Sequence, residues 1–416
     1  MAGQSQTRDM LDMKIGQMLL IGFPKAEVDP LVLEEIKAGK VGTIIIFEKN
    51  IPGNTIGKDN KVIQGNKPNA SFTALKKIIW TYQKAASIPL MIAIDEEGGK
   101  VNRLKDKYGF ARSITAQKMG MAKSLDSVQF YAESTAATLA GLGINVNFAP
   151  VVDLAVNPQN EVIVKVGRSF SSNADTVTMF AEEFIKVHRK FGVTTVLKHF
   201  PGHGSSQTDT HFGVADVTRS WTSNELIPYL RLLGSNAVDA IMTAHIVNRQ
   251  LDPRGYPGTL SSRMIDSLLR KTLRYDGVVF SDDMQMQAIT KQYGLEEGIR
   301  LAINAGVDVL CFANNVQGSE ERTVDKVHSI IRKLVESGQI KQERIDEAFN
   351  RVIKLKSRIG SPAEEYLRHE LEASRQELAE LKSSLQTKPE VKEEKPPVDN
   401  PVLQEEPDKK KKQKKQ

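Results

Sequence analysis

The sequence predicts an α/β protein: a closed (β/α)8 TIM-type barrel in one domain, with a C-terminal helix and a disordered tail. Three observations predict it. Eight short, almost wholly apolar runs alternate with amphipathic helical stretches. An open doubly wound sheet would need a glycine-rich phosphate loop after its first strand, and Gly22-Phe23-Pro24-Lys25 does not supply one. Asp95, His199, His245 and Asp282 each fall at, or just past, the end of a different apolar run. A barrel brings all those ends to one face, where its chemistry is assembled.

The elements follow in order. Residues 14–23 (KIGQMLLIGF) form the first apolar segment, and Val41–Phe47 is a β-branched second strand. Between them Pro30–Gly39 reads as a short helix stopped by glycine. Residues 50–69, rich in Gly, Asn and Lys, read as an inserted surface loop. Ser71–Ala86 is helical, and Pro89–Ile94 is a third strand ending before Asp95. The Ala-rich helix Leu125–Leu142 leads to strand four at Ile144–Phe148, with Asp153 just beyond. Helix Ala174–Phe191 precedes the fifth strand, Val193–Leu197. Asn224–Leu233 and Ser261–Leu273 are helices before strands six (Ala240–His245) and seven (Gly277–Asp283). Leu295–Ala305 leads into strand eight, Val307–Phe312, and helices near Ser319–Ser337 and Gln342–Arg358 close the packed region.

Composition bounds the function class. In 416 residues, 40% are apolar, enough for a sizeable core, and no uninterrupted run is long enough to span a membrane. The single cysteine, Cys311, excludes an intrachain disulfide and a CxxC metal site, and its apolar neighbours mark it as a buried thiol. The net charge of +6 goes with a lysine cluster in Lys409–Lys415, and the rest is a mixed-sign surface with no basic stripe, so no nucleic-acid partner is expected. The N-terminus lacks the basic-then-apolar pattern of a secretory signal, and the expected location is cytoplasmic, or periplasmic or exported if such a signal has been removed.

After residue 360 the composition shifts. The expected organisation is a barrel over 1–360, a charged helix over 361–387 and a tail over 388–416. Leu371, Leu378 and Leu385 recur every seventh residue, too briefly to define a coiled coil. The tail alternates Lys, Glu and Pro with few apolar groups to offset ordering, so it reads as disordered. Its lysine-rich end suits weak contact with anionic surfaces, though a solvated tail is the simpler expectation.

The most informative stretch is Lys198-His199-Phe200-Pro201-Gly202-His203-Gly204, followed by Asp209-Thr210-His211. Pro201, Gly202 and Gly204 break regular structure, so the polar residues are expected on a loop at the end of strand five. Asp209 can accept a hydrogen bond from the His211 imidazole N–H, fixing its tautomer and suiting it to proton transfer near neutral pH. Asp282, in Phe280-Ser281-Asp282-Asp283-Met284, faces the same mouth and could be a nucleophile, a base, a metal ligand or a sugar-hydroxyl acceptor. Asp95 to Arg103 (DEEGGKVNR) adds carboxylates and a fork donor; its Gly-Gly-Lys lacks the partners of a phosphate loop.

Together IDEEGGKVNRL (94–104), NFAPVVDL (147–154), GRSF (167–170), KHFPGHG with DTH (198–211), MTAHI (242–246) and VVFSDDM (278–284) resemble glycoside hydrolase family 3. The resemblance covers roughly residues 10–357. Within the family it points to the β-N-acetylglucosaminidases that act on peptidoglycan fragments. It implies Asp282 as catalytic nucleophile, His211 as acid/base and Asp209 as the carboxylate that orients it. It implies Asp95, Arg103, Arg168, Lys198 and His199 as contacts to the terminal sugar, with no cofactor and no metal. Retaining hydrolysis needs such a carboxylate beside a separate proton donor. His203 has no catalytic counterpart and is read as shaping the loop. Ser205-Ser206 stands where many relatives carry Asp-Thr, and the 50–69 and post-360 segments lie outside the resemblance.

The implied substrate is a GlcNAc-containing glycoside, in particular a peptidoglycan fragment. A non-catalytic wall-binding protein that retained the barrel is disfavoured by the intact Asp282, Asp209 and His211, and two other readings remain at this point. One is phosphorolysis, since a histidine repels incoming phosphate less than a glutamate would. The other is a metal-dependent hydrolase on His199, His203, Asp209 and His211, which Pro201 and Gly202 disfavour by breaking the helix that His-x-x-x-His ligation needs.

Overall fold

The computed structural model describes residues 2–52, 55–56, 62–64, 70–207, 213–315, 323–359 and 379. All but Ala379 belong to one compact unit, residues 1–367. The expected helix after 361 and the tail lie outside the described residues.

The strands in chain order are β1 (Leu19–Gly22), β2 (Thr43–Ile46), β3 (Thr55–Ile56), β4 (Val62–Gln64), β5 (Met91–Ile94), β6 (Val146–Asn147), β7 (Thr194–Phe200), β8 (Ala215–Asp216), β9 (Ala240–Thr243), β10 (Ile246–Val247), β11 (Val278–Asp283) and β12 (Val309–Phe312). Eight close into a parallel barrel in the order β1-β12-β11-β9-β7-β6-β5-β2. β3 and β4 form an antiparallel pair inside the segment read as a surface loop, and β8 pairs with β10 beside the barrel.

Period-two alternation explains why these strands look apolar throughout. Leu20, Ile45, Met91, Ala93, Val146, Val196, Met242, Phe280 and Val309 fill the lumen, where Phe148 meets Phe280 edge-on at 5.5 Å. Their neighbours Leu19, Ile21, Ile44, Ile46, Ile92, Ile94 and Leu197 pack outward on the helices. Both faces are covered, as a parallel sheet requires.

The helix before β7, Ala174–Lys190, shows how the ring is built. Asn173 caps it by accepting from the Thr176 N–H at 3.0 Å, and His188, Arg189 and Lys190 sit at its negative C-terminal end. It buries Val177, Phe180, Phe184 and Ile185. Each fully buried side chain of this kind contributes about 1.5–3 kcal/mol. Truncating Phe184 to Ala should therefore cost about 3–5 kcal/mol.

Three details differ from the sequence reading. The first apolar segment divides: its beginning closes a helix, Ala2–Gln17, and only Leu19–Gly22 is strand. β7 continues through Lys198, His199 and Phe200, so these stand on the strand and the loop begins at Pro201. The helix before β11, Arg263–Thr272, is wound wide, with Ser267 N–H donating to Ser262 O and Leu273 N–H to Leu268 O.

At the N-terminal end of the strands, helix Gln342–Lys356 plugs the barrel with Val352 and Leu355. Among the described residues no helix is long and apolar enough to cross a membrane.

Candidate active site

The site grows from strand ends at the opposite, C-terminal mouth. Lys198 is only 2% exposed, and a buried ammonium must be paired. Its Nζ lies 2.8 Å from Asp95 Oδ1, just past β5, and 2.6 Å from Glu97 Oε1. Glu97 in turn receives Arg168 in a fork, Nε to Oε2 and Nη2 to Oε1 at 2.7 Å each. Arg168 Nη2 also reaches His199 Nε2 at 3.2 Å. Guanidinium only donates, so Nε2 accepts and His199 Nδ1–H donates to Asp153 Oδ2 at 2.7 Å. At the other end Arg103 Nη2 meets Asp95 Oδ2 at 3.2 Å and its guanidinium lies 5.5 Å over the Phe47 ring.

The electrostatics follow from this wiring. Burial raises the cost of ionising Asp95, but Lys198 and Arg103 outweigh it and hold the carboxyl well below its usual range. Burial likewise opposes charge on Glu97, and Arg168 with Lys198 overcomes it. Burial pushes Glu96 up to about 7, although the Arg103 and Leu104 amides donate to its Oε2 at 2.9 and 3.1 Å and the Arg103 charge also favours the anion. Those two bonds pin the segment that presents Arg103 to Asp95.

Register irregularities place the candidates. On β7 the pairing with β9 slips between Leu197 and Phe200, and on β11 the pairing with β12 slips between Phe280 and Asp283. Lys198 and His199 sit in the first irregularity, Asp282 in the second. Such bulges re-aim side chains at barrel rims. Asp283 is tied to the scaffold: its Oδ1 accepts from the Gln285 and Ala313 amides, and its carbonyl accepts from His245 Nε2–H at 2.9 Å. The Asp283 N–H donates to Asp282 Oδ1 at 2.8 Å, orienting that carboxylate. Burial pushes the Cys311 thiol up, and the charges of Asp283, Asp282 and Asp95 add to it.

The structure thus brings Asp95, Arg103, Arg168, Lys198 and His199 into one continuous network, with Asp282 at the same mouth. Asp209 and His211 lie outside the described residues. His203 is buried; its Nδ1 pairs with Ser206 Oγ at 2.7 Å and burial lowers it to about 4, in keeping with a loop-shaping part. His245 supports Asp283. Among the described residues, no three His, Cys, Asp or Glu side chains converge as a metal-binding group.

Sequence reasoning noted Glu97 and Asp153 at strand ends but gave neither a role, and they join the network's halves. The signal was present as a run of three acids after β5 and a lone aspartate after β6. A polar residue just beyond a barrel strand faces the mouth.

The family model for the glycosyl hydrolase family 3 N terminal domain matches residues 10–355. The beta-hexosaminidase A of Pseudoalteromonas piscicida is 32% identical over 348 residues, 79% of this chain and 55% of that protein. The beta-hexosaminidase of Tolumonas auensis is 30% identical over 304 residues, covering 72% of this chain and 84% of that one. Among solved structures, a glycoside hydrolase family 3 beta-N-acetylglucosaminidase from Paenibacillus sp. superimposes with a TM-score of 0.74 at 33% identity, over 84% of this chain and 62% of that one. The barrel and its mouth define a (β/α)8 protein with a charged network at the C-terminal strand ends. The chain belongs to glycosyl hydrolase family 3.

Proposed function

We propose that the chain is a retaining exo-β-N-acetylglucosaminidase that removes terminal GlcNAc from peptidoglycan-derived fragments. The observation that carries this reading is the network of Asp95, Lys198, Glu97, Arg168 and His199 at the same barrel mouth as Asp282. Asp95 and Arg103 are part-exposed at 17% and 24%, so they offer an acceptor and donors to sugar hydroxyl and acetamido groups. Asp282 attacks the anomeric carbon and the glycosidic bond breaks; a proton from His211, oriented by Asp209, goes to the leaving oxygen. The same histidine then takes a proton from water, which hydrolyses the glycosyl-enzyme with overall retention. The names of the relatives support the choice of a 2-acetamido sugar.

The deciding assay compares an aryl β-GlcNAc substrate with the matching β-glucoside. A site that pairs buried polar groups with the acetamide rejects the glucoside by about 10⁴-fold. Equal turnover of the two sugars refutes the assignment, and α-GlcNAc as first-formed product refutes retention. Accumulation of GlcNAc 1-phosphate in phosphate buffer would replace hydrolysis with phosphorolysis.

A further inference from the structure

Beneath the loop that follows β7 lies a buried carboxylate that neither the sequence motifs nor the network above employ. Glu225 is 1% exposed, on the short turn Ser223–Leu226. Its Oε2 accepts the Gly204 N–H at 2.9 Å. Gly202, at φ +119°, lies directly on it: a Cβ there would fall 2.7 Å from Glu225 Cβ and 3.0 Å from Oε2. Only glycine allows the loop to sit this close.

The rest of the loop is fastened on all sides. Trp221 Nε1–H donates to Pro201 O at 3.1 Å, and Asn160 Nδ2 donates to His203 O at 2.8 Å and Gly204 O at 3.1 Å. Asp153 Oδ1 accepts the His203 N–H at 2.8 Å. In contrast, Glu225 Oε1, Ser205 Oγ and Tyr229 Oη are buried polar atoms without a hydrogen bond of full geometry. Among the described residues no cation pairs with this carboxylate, a costly feature for a merely structural anchor.

We propose that Glu225 is a positioning residue: by gaining and losing a proton it sets the geometry of the Pro201–Ser206 loop, which runs on to Asp209 and His211. This rests on the function proposed above. The groups that face it are Ser205 on the loop, Asp153 across the loop and Tyr229 on the helix Ile227–Gly234. Burial, then the Asp153 charge, pushes Glu225 up to about 7, while His199 holds Asp153 below its usual range despite burial. Two carboxylates under one loop are driven apart, so one stays charged and the other titrates near neutrality. The anion grips the Gly204 amide more strongly than the acid does. Loop geometry is thereby linked to pH in the range where a histidine acid/base works.

The test uses the full chain labelled with ¹⁵N-glycine, and Glu225→Gln, which keeps the shape and an acceptor but cannot titrate. The Gly204 amide shift of the wild type should step with a midpoint near 7, and the variant should show no step. With a sugar leaving group the variant should lose about tenfold in kcat with KM nearly unchanged, and less with dinitrophenolate. A merely structural role would change both parameters without regard to leaving group. A wild-type Gly204 signal that does not titrate overturns the anchor, and this measurement needs no variant to fold. Unchanged kinetics in a variant of an active wild type overturn the positioning role. A wild type inactive on every GlcNAc glycoside sinks the functional reading instead, and the Gly204 titration still decides the anchor.

Discussion

At the floor of the barrel, the fully buried Asp308 collects Arg270 and Arg344 at 2.6 Å and Arg351 at 3.4 Å, and also accepts the Val279 amide at 3.0 Å. At the mouth, by contrast, charges alternate along a chain of Arg103, Asp95, Lys198, Glu97 and Arg168, which the His199 ring, accepting from Arg168 and donating to Asp153, extends. The floor is a star whose hub stitches β11 and the start of β12 to two helices. The mouth is a relay whose members each hold two neighbours and leave polar faces toward the opening. Cavities of about 440 and 470 Å³ also open at the floor, both lined by Arg351 and Asp276, and neither includes a residue of the mouth network. The comparison teaches that buried charge alone does not mark a site. A star is wired for stability, whereas a relay with part-exposed members is wired to receive a ligand.

The largest expected effect tests the mouth. Asp282→Ala should lower turnover of every β-GlcNAc substrate by about 10⁴-fold or more, because no leaving group bypasses the attack on the anomeric carbon. Its unfolding midpoint should stay close to that of the wild type. Comparable residual activity on an activated aryl glycoside would assign the nucleophile elsewhere.

His211→Ala comes next. A sugar leaving group cannot depart unprotonated, so its cleavage should fall by about 10²–10⁴-fold. Dinitrophenolate needs little protonation: the variant should release it in a burst, then turn over slowly as the glycosyl-enzyme awaits unassisted water. Equal losses on both substrates, with no burst, would remove His211 from the acid/base role.

Breaking the floor should do the reverse. Asp308→Asn leaves three buried or half-buried guanidinium groups without their shared anion, at a cost of about 3–5 kcal/mol in a denaturant titration. Below the unfolding transition kcat and KM should match the wild type. A large kcat loss in well-folded protein would mean that the star also shapes the mouth.

The sequence made one side of this comparison far more visible than the other. The barrel was legible because each strand is a short β-branched or apolar run covered on both faces, and because Asp95, His199 and Asp282 fall at strand ends. Lys198 and His199 looked like loop residues since polar side chains at a strand's end interrupt the apolar pattern that marks a strand. The register slips that aim them leave no trace in composition. Glu97 acquires its meaning from Lys198 and Arg168, 101 and 71 residues away, and local reading cannot supply such partners. The helix Ala2–Gln17 escaped notice because its early residues, AGQSQTRD, show no apolar periodicity.

Two buried lysines give the comparison its smallest and sharpest test. Lys198 at the mouth is clamped by two carboxylates. Lys356 at the floor is equally sunk, 5% exposed, but among the described residues it donates to the neutral oxygens Gln17 Oε1 at 2.6 Å and Gly42 O at 2.8 Å. Burial therefore pulls Lys356 down from 10.5 to about 7. Between those values the unfolded chain holds a proton that the folded protein has released, so raising the pH favours folding. This contribution is fully present above the unfolded value and is lost as pH falls toward the folded one. Lys356→Met removes it, though leaving the two oxygens without a donor lowers stability at every pH by about 1–3 kcal/mol. The informative quantity is the slope. From about pH 7 to 9, urea midpoints of the wild type should rise relative to those of the variant, by at most about 1.4 kcal/mol per pH unit. Parallel curves would mean that the Lys356 ammonium stays charged on folding, and that neutral oxygens suffice at the floor where the mouth employs carboxylates.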